Sequence, residues 1–477
     1  MRDYVLTAII FAIIPVCLAR PWLGIIAWYW LGIMNPHRHT WDWAYSMPFA
    51  MLIGGATLLG ALGAKDRRPI PWSRELVLMV ILMVYFTMTS LFAWAPTNAW
   101  IQWEKVFKIV LMTLVATMFI YGHDRIRTLM WTIVISIGFY GVKGFFFVLR
   151  SGGAERVQGP ESSFLDGNTF IGLAFTMIIP LMIFMARTEN KRWIRVALYV
   201  MATLTIVSTI FTYSRGAYLG LVIILPLIFL QARKKIIAAC ILIPAVLLAP
   251  IVLPETVFQR ADTIENYQKD GSANQRLQSW TVAWNLAKES PLTGAGFEFE
   301  YSPDEGRWLR YGSEEYTWAL QHSSSAHSIY FQVLGQHGFV ALLLFLVLLF
   351  GTLLRLNWIK KRAMTNADST WAAGYASGLQ VGLIGYMVSG AFLSSAYFDL
   401  VWLFLALTAI LAREVTPVSD RRYGLTPGFR SASFSKAAAV PGDGTRVASE
   451  QADAGWNERQ KNEVRRKVPQ KSVAETR

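Results

Sequence analysis

Charged residues are scarce in this 477-residue chain: Asp, Glu, Lys and Arg together make up 16% of it, while hydrophobic residues make up 54%. A soluble domain carries roughly 25% charged residues, so the composition excludes an ordinary soluble protein. Apolar runs recur along the sequence, each about 20 residues long and able to cross a hydrocarbon core about 30 Å thick. We therefore predict an all-α polytopic membrane protein.

Cysteine is nearly absent as well. Cys17 and Cys240 are the only two, and both fall inside apolar runs, where a small buried side chain is the usual role. They exclude a disulfide framework and a thiolate metal site. The sequence also has no HExxH motif, no carboxylate cluster accompanying its histidines and no soluble-type glycine-rich phosphate loop. We expect no bound metal and no cofactor.

The net charge of +14 could suggest nucleic acid as a partner. The excess, however, lies largely in short loops and in the C-terminal tail, which in a membrane protein indicates topology. No nucleic-acid partner is therefore expected. The clusters predicted to be cytoplasmic are 65–68, 125–127, 187–195, 233–235, 355–362 and everything after Arg413.

The sequence between these clusters predicts eleven membrane spans, near residues 46–63, 75–95, 104–122, 128–149, 169–186, 196–213, 216–232, 236–253, 328–354, 372–394 and 397–412. Residues 3–34 add a twelfth span, kinked or broken at Arg20-Pro21 because proline disrupts the helical ladder. Two short spans there are the alternative, which places the N-terminus outside. The membrane domain covers residues 1–412, and the polar residues 413–477 are predicted to be a disordered cytoplasmic tail.

This topology places four segments on the outer face, at residues 35–45, 150–168, 213–216 and 254–325. The last is a large polar loop. Within it, residues 275–287 have apolar side chains at spacings of three and four, which predicts an amphipathic helix on the membrane surface. Trp280 and Trp284 are interpreted as interface anchors or packing residues. Chemistry on water-soluble groups is expected at this outer face.

Among the arginines on the predicted outer segments, where topology disfavours positive charge, Arg156, Arg215 and Arg276 are the candidate site residues. Arg215 is either a snorkelling interfacial side chain or a functional one, and arginines at a membrane edge are functional candidates. Asn168, near Arg156, fits a helix N-cap as well as it fits a functional role. Arginine forks bind phosphate oxygens and stay charged, which makes all three candidate anion ligands.

Two histidines follow the loop. His327 and His337 are ten residues apart, close to three helical turns, so they share a face if the helix begins near His327. A lone histidine is more often structural, but His337 at the top of a membrane helix contributes little to stability there. Imidazole can take a proton from a hydroxyl near neutral pH. With the arginines, these residues predict a pocket for the diphosphate head group of a lipid.

The chain resembles the bacterial O-antigen ligase (WaaL-type) and O-antigen polymerase superfamily. The motifs that carry the resemblance are Ser214-Arg215-Gly216, Arg276 with Trp280, residues 291–296, Ala326-His327-Ser328 and Gln336-His337-Gly338. In motif the resemblance covers roughly residues 150–412, and in topology the whole chain.

This resemblance implies an inverting, metal-independent transferase that moves O-antigen polysaccharide from undecaprenyl diphosphate to the lipid A core oligosaccharide, completing lipopolysaccharide. The active site would face the periplasm from the bacterial inner membrane. His337 would orient or deprotonate the acceptor hydroxyl, and Arg215 would bind the diphosphate and stabilise its leaving charge. Arg156 and Arg276 would be further diphosphate contacts and His327 a weaker one, with no nucleotide-sugar site.

The acceptor stays open, because residues 34–41 look like a subgroup of protein O-glycosylation ligases associated with exosortase systems. A polymerase that joins repeat units is a third possibility on the same scaffold. A lipid-linked oligosaccharide transporter, from a different class, would be expected to show paired internal repeats or broken central helices, and no obvious repeat is present.

Overall fold

The structure is a computed structural model in which residues 1–232, 235, 271–313 and 323–416 are described. These residues form helices and connecting turns without a β-strand, which confirms the all-α prediction. The helices are α1 (Arg2–Ala19), α2 (Pro21–Met34), α3 (Phe49–Gly63), α4 (Arg74–Ser90), α5 (Pro96–Phe119), α6 (Gly122–Ser151), α7 (Gly167–Thr188), α8 (Arg192–Ile210), α9 (Arg215–Leu230), α10 (Gly271–Glu289), α11 (Glu305–Leu309), α12 (Ile329–Ala363), α13 (Thr370–Ser389) and α14 (Asp399–Val415).

Five of the described helices are long and apolar enough to cross a membrane: α1, α6, α7, α8 and α12. Helices α2, α3 and α9 are apolar but shorter. The total of twelve spans stays a prediction. The predicted span 236–253, loop residues 254–270 and 314–322, and the tail from residue 417 onward lie outside the described residues.

The predicted break at Arg20-Pro21 is confirmed. Arg20 has φ −136° and ψ 80°, so it ends α1, and Pro21 begins α2 at a position where its missing N–H costs no helical hydrogen bond. Apolar side chains of α1 and α2 pack with those of α3, including Ile10, Leu31 and Ile53. Cys17 is buried in the same cluster, as expected for a small apolar side chain.

Helix α7 lies at the centre of the membrane core and packs most extensively against α13. Helix α13 is rich in small residues, which let membrane helices approach closely. At Gly382 the approach is so close that an added Cβ would lie 2.4 Å from the backbone oxygen of Met177. The small residues of α13 therefore set its distance from α7.

The helix predicted within residues 275–287 is confirmed as α10, whereas its position on the membrane surface stays a prediction. Its apolar side chains Val282 and Leu286 pack with Ala295, Phe299 and Trp308 in a small cluster within the loop. Trp280 stacks on Phe331 of α12 with ring centroids 5.0 Å apart, and its Nε1 donates to the backbone oxygen of Ala326 at 2.7 Å. The apolar face of α10 is thus covered by protein, and Trp280 is a packing residue.

Helix α12 is broken at Gly338, which has φ 78° and ψ −174°. The turn at residues 291–296 fills the break. Its Ala295 and Gly296 N–H groups donate to the backbone oxygens of Gly335 at 3.0 Å and Gln336 at 2.8 Å, while Pro291 O accepts from Phe339 N at 2.9 Å. Backbone groups freed by the break are therefore paired, as a membrane segment requires.

Replacing Gly338 by alanine should destabilise the protein by about 1–3 kcal/mol or more, because φ is positive there and an added Cβ would lie 2.3 Å from Pro291 O. We expect Gly338→Ala to lower the thermal unfolding temperature of the detergent-solubilised protein.

Gly351→Ala is the matched control, since an added Cβ on that residue of α12 meets nothing within 4 Å. Alanine is the better helix former, so this variant should unfold at the wild-type temperature or slightly higher. Equal unfolding temperatures for the two variants would contradict the proposed fit between the turn and the break.

Candidate functional site

The outer segment that carries Arg156 is tied to the junction that carries Arg215. Val157 N donates to the backbone oxygen of Phe211 at 2.9 Å, and the Asn168 side chain donates to that of Thr212 at 2.8 Å. Asn168 is therefore not an N-cap; Asp166 holds that position. These bonds place Arg156 and Arg215 on segments that adjoin one another.

Arg215 is the first residue of α9 and is partly buried, whereas Arg156 is exposed. The Ser214 side chain caps the helix by accepting from Ala217 N at 3.4 Å. Gly216 lies against the end of α13, because a Cβ there would be 3.0 Å from the backbone oxygen of Ser389 and 3.5 Å from Phe392. The junction thus contacts the segment that follows α13.

Arg276 and His327 reach the same segment from the loop side. Trp280, one helical turn from Arg276, contacts Phe392 with ring centroids 6.4 Å apart. The backbone N–H of His327 donates to Ser394 Oγ at 2.8 Å. Burial and the nearby positive charge of Arg276 lower the pKa of His327, so its imidazole is neutral at neutral pH. Arg156, Arg215, Arg276 and His327 therefore lie on segments that contact one another.

His327 itself stands outside the helix. Its φ is 46° and α12 begins at Ile329, so His327 and His337 do not share a helical face. The expectation of one face was wrong because it required the helix to start near His327. The left-handed conformation instead turns the chain into α12.

His337 is completely buried, with 0% of its surface exposed. Its ring packs on Phe86 and Phe297, with centroids 4.3 Å and 4.4 Å away. Nδ1 lies 2.6 Å from the Thr89 hydroxyl, which donates its one proton to Phe86 O at 3.1 Å. Nδ1 therefore donates to Thr89, and Nε2 has no hydrogen-bond partner among the described residues. The described contacts of the His337 ring are therefore with Phe86, Phe297, Tyr397 and Thr89.

A cavity of about 1010 Å³ lies between α2, α3 and α5 on one side and the outer segments on the other. Helices α2 and α3 contribute mainly apolar lining, including Trp28, Leu31 and Leu58. Polar lining comes from α5 and from the outer segments, including Lys105, Glu298, Glu300, Tyr301, Ser325 and Ser394. The described lining contains none of the five predicted site residues, but Ser394 bonds to the His327 backbone.

Glu298 and Glu300 are cavity residues that the sequence analysis missed. Burial, followed by the charge of Glu298, raises the pKa of Glu300 to about 7. The available signal was the alternation Phe297-Glu298-Phe299-Glu300, in which both phenylalanines are buried, at 0% and 3% exposure. In an extended segment successive side chains point to opposite faces, so the two glutamates are expected to face away from the two phenylalanines.

Residues 200–346 match the family described as O-Antigen ligase, and residues 1–190 match a family of unknown function (DUF5935). The first range contains Arg215, Arg276, His327, Glu300 and His337. The second contains Arg156 and the helices that form the apolar wall of the cavity. A search of curated proteins gives no match to the chain.

Because Arg276 lowers the pKa of His327, removing its charge should raise that pKa toward the ordinary value of 6.5. We expect Arg276→Gln to shift the His327 titration upward, measured by NMR on protein labelled with ¹⁵N-histidine, with the His327 signal assigned from the His327→Gln spectrum.

Arg150→Gln is the control, because Arg150 is an exposed arginine at the outer end of α6. It should leave the His327 titration unchanged. An unchanged titration in Arg276→Gln as well would show that Arg276 does not act on His327.

Proposed function

Since its residues 200–346 make this chain a member of the O-antigen ligase superfamily, we propose that it transfers O-antigen polysaccharide from undecaprenyl diphosphate to the lipid A core oligosaccharide. The reaction would take place at the periplasmic face of the bacterial inner membrane, with inversion at the anomeric carbon and without a metal. The observation that carries the proposal is that Arg215, Arg276 and His327, all within the matched range, lie on mutually contacting segments.

The arginines suit the leaving group. In the transfer, the acceptor oxygen attacks the anomeric carbon, the bond from that carbon to the diphosphate oxygen breaks, and the diphosphate leaves with the electron pair. Arg215 and Arg276, with Arg156 as a further contact, would bind the diphosphate oxygens as the negative charge develops. Neutral His327 would donate a hydrogen bond to the same group.

The cavity suits a donor with both apolar and polar parts. Its α2 and α3 lining is apolar, as a polyprenyl chain requires, while α5 and the outer segments present amide, hydroxyl and charged groups. Ser325 and Ser394 belong to this lining. Ser325 lies two residues before His327, and Ser394 Oγ accepts a hydrogen bond from the backbone N–H of His327. A lipid tail would therefore be accommodated close to the proposed diphosphate site.

The identity of the acceptor can be tested by offering several acceptors to the same preparation of purified protein. Purified protein would be given an undecaprenyl diphosphate-linked glycan with lipid A core, with an acceptor protein, or alone, each in the presence of EDTA. Product on lipid A core supports the ligase. Product only on protein, or longer lipid-linked glycan only, would replace it by the protein ligase or the polymerase, and loss of all transfer in EDTA would overturn the metal-free reaction.

Removal of either central arginine should slow transfer. We expect Arg215→Ala and Arg276→Ala each to lower kcat by about 10²–10³-fold, as the loss of one charge-stabilising donor does in other enzymes. Arg215→Lys should fall between Arg215→Ala and wild type, because lysine keeps the charge but not the planar fork.

The exposed Arg150 provides the control for lost charge, and Arg150→Ala should transfer at the wild-type rate. All variants would be checked for an unchanged thermal unfolding temperature. Full transfer by both Arg215→Ala and Arg276→Ala would show that the diphosphate binds elsewhere.

The role of His337 in proton transfer stays a prediction from the sequence, and a pair of variants tests it. We expect His327→Gln to lower kcat about 10²-fold at unchanged stability. His337→Gln should mainly lower stability, by about 1–3 kcal/mol, because it disturbs a buried hydrogen bond. The measurements are transfer rate and thermal unfolding on the same samples. A large loss of kcat in His337→Gln at unchanged stability would instead support His337 as the proton acceptor.

A further inference from the structure

Glu300 is held at the cavity by a short segment with little freedom. It lies in a 3-10 turn, Phe299–Tyr301, which follows Glu298 in a left-handed conformation at φ 55°. Phe299 packs with Ala295 and Trp308 in the small core of the loop. This anchoring leaves the carboxylates on either side of Phe299 in the lining of the cavity.

The carboxyl group of Glu300 is buried and incompletely hydrogen-bonded. The residue is only 7% exposed, and its buried Oε2 has no hydrogen-bond partner among the described residues. The Gln336 side chain favours the charged form of the same carboxylate. Tyr397 Oη donates to Gln336 Oε1 at 2.7 Å, and this bond holds the Gln336 side chain in place.

Several charged or titratable groups surround the carboxylate. Glu298 precedes it on the same segment, Tyr301 follows it, and Tyr397 approaches it from the start of α14. Lys105 of α5 faces Glu298. Asp399 lines the same cavity. Burial and Glu298 dominate, so the pKa of Glu300 rises to about 7, which is near the optimum for a group that takes up a proton at neutral pH.

The segment that leads to His327 also touches Glu300. Ser323 Oγ donates to the backbone oxygen of Glu300 at 2.5 Å, and Ser325 lines the same cavity as the carboxylate. The serine bonded to Glu300 therefore lies four residues before His327, whose pKa is lowered in part by Arg276.

We propose that Glu300 is the proton acceptor for the attacking hydroxyl of the acceptor sugar. This inference rests on the proposed transfer reaction. The acceptor O–H bond breaks as its oxygen forms the new bond to the anomeric carbon. The proton passes to the carboxylate of Glu300, and the diphosphate leaves with the electron pair of the broken glycosidic bond. Gln336, held by the hydrogen bond from Tyr397, is a positioning residue that acts on the charge of this carboxylate.

The proposal predicts the pH dependence of transfer. A base acts when deprotonated, so wild-type kcat should fall as the pH drops through about 7, the pKa of Glu300. Glu300→Gln should lower kcat by about 10²–10⁴-fold and abolish this acidic limb, because a neutral amide cannot accept the proton. Glu300→Asp, which keeps a carboxylate on a shorter side chain, should recover part of the rate and the limb.

Glu155→Gln is the matched control, since Glu155 is an exposed outer-face carboxylate, and it should keep the wild-type rate and profile. Binding of undecaprenyl diphosphate would be measured on the same samples, and Glu300→Gln should bind it as wild type does. A Glu300→Gln variant that retains the wild-type rate and acidic limb overturns the role of Glu300 alone. Absence of transfer by the wild-type protein to every acceptor overturns the proposed function and this inference together.

Positioning by Gln336 has a separate readout. Gln336→Leu removes the amide that favours the charged form of Glu300. The acidic limb should therefore move to higher pH, whereas a purely structural role would lower the rate at every pH without moving the limb.

Discussion

The arrangement of the outer face depends on the pairing of backbone groups where α12 is broken. A helix that opens within a membrane protein leaves carbonyl groups that cost several kcal/mol each if they stay unpaired. Here the turn 291–296 supplies the N–H groups for Gly335 and Gln336. The same turn is held from the other side, since Ala295 O accepts from Trp94 N at 2.9 Å and Leu292 O accepts from the Tyr85 hydroxyl. The loop is thereby anchored to α4 and α12 at once.

That anchoring fixes where the chemically useful side chains can be. Glu300 follows the turn by four residues, and α10 leads directly into it. Gln336, whose backbone oxygen pairs with the turn, also favours the charged form of Glu300 through its side chain. In the Gln336-His337-Gly338 motif the glycine permits the break, the histidine lies in a buried aromatic cluster, and the glutamine accepts a hydrogen bond from Tyr397.

Much of the fold could be predicted from the sequence, because apolar runs, a proline after Arg20 and the periodicity of residues 275–287 are local signals. Arg156, Arg215 and Arg276 were selected because positive charge is disfavoured on the predicted outer side, and their role stays a prediction. The cavity could not be predicted, because it depends on which helices are neighbours, and the Glu298–Glu300 pair gains meaning only beside α5. The spacing of His327 and His337 also could not reveal that His327 has a positive φ and stands outside the helix.

Both matched regions are needed to enclose the cavity. The region that matches a family of unknown function supplies α2, α3 and α5, and the ligase region supplies the carboxylates and the serines near His327. If the arginine-bearing segments hold the diphosphate, the leaving charge is stabilised by residues outside the described lining of the cavity, whereas the proton is taken up by a carboxylate within that lining. Such a separation would keep the carboxylate away from the like-charged diphosphate, which would otherwise repel it.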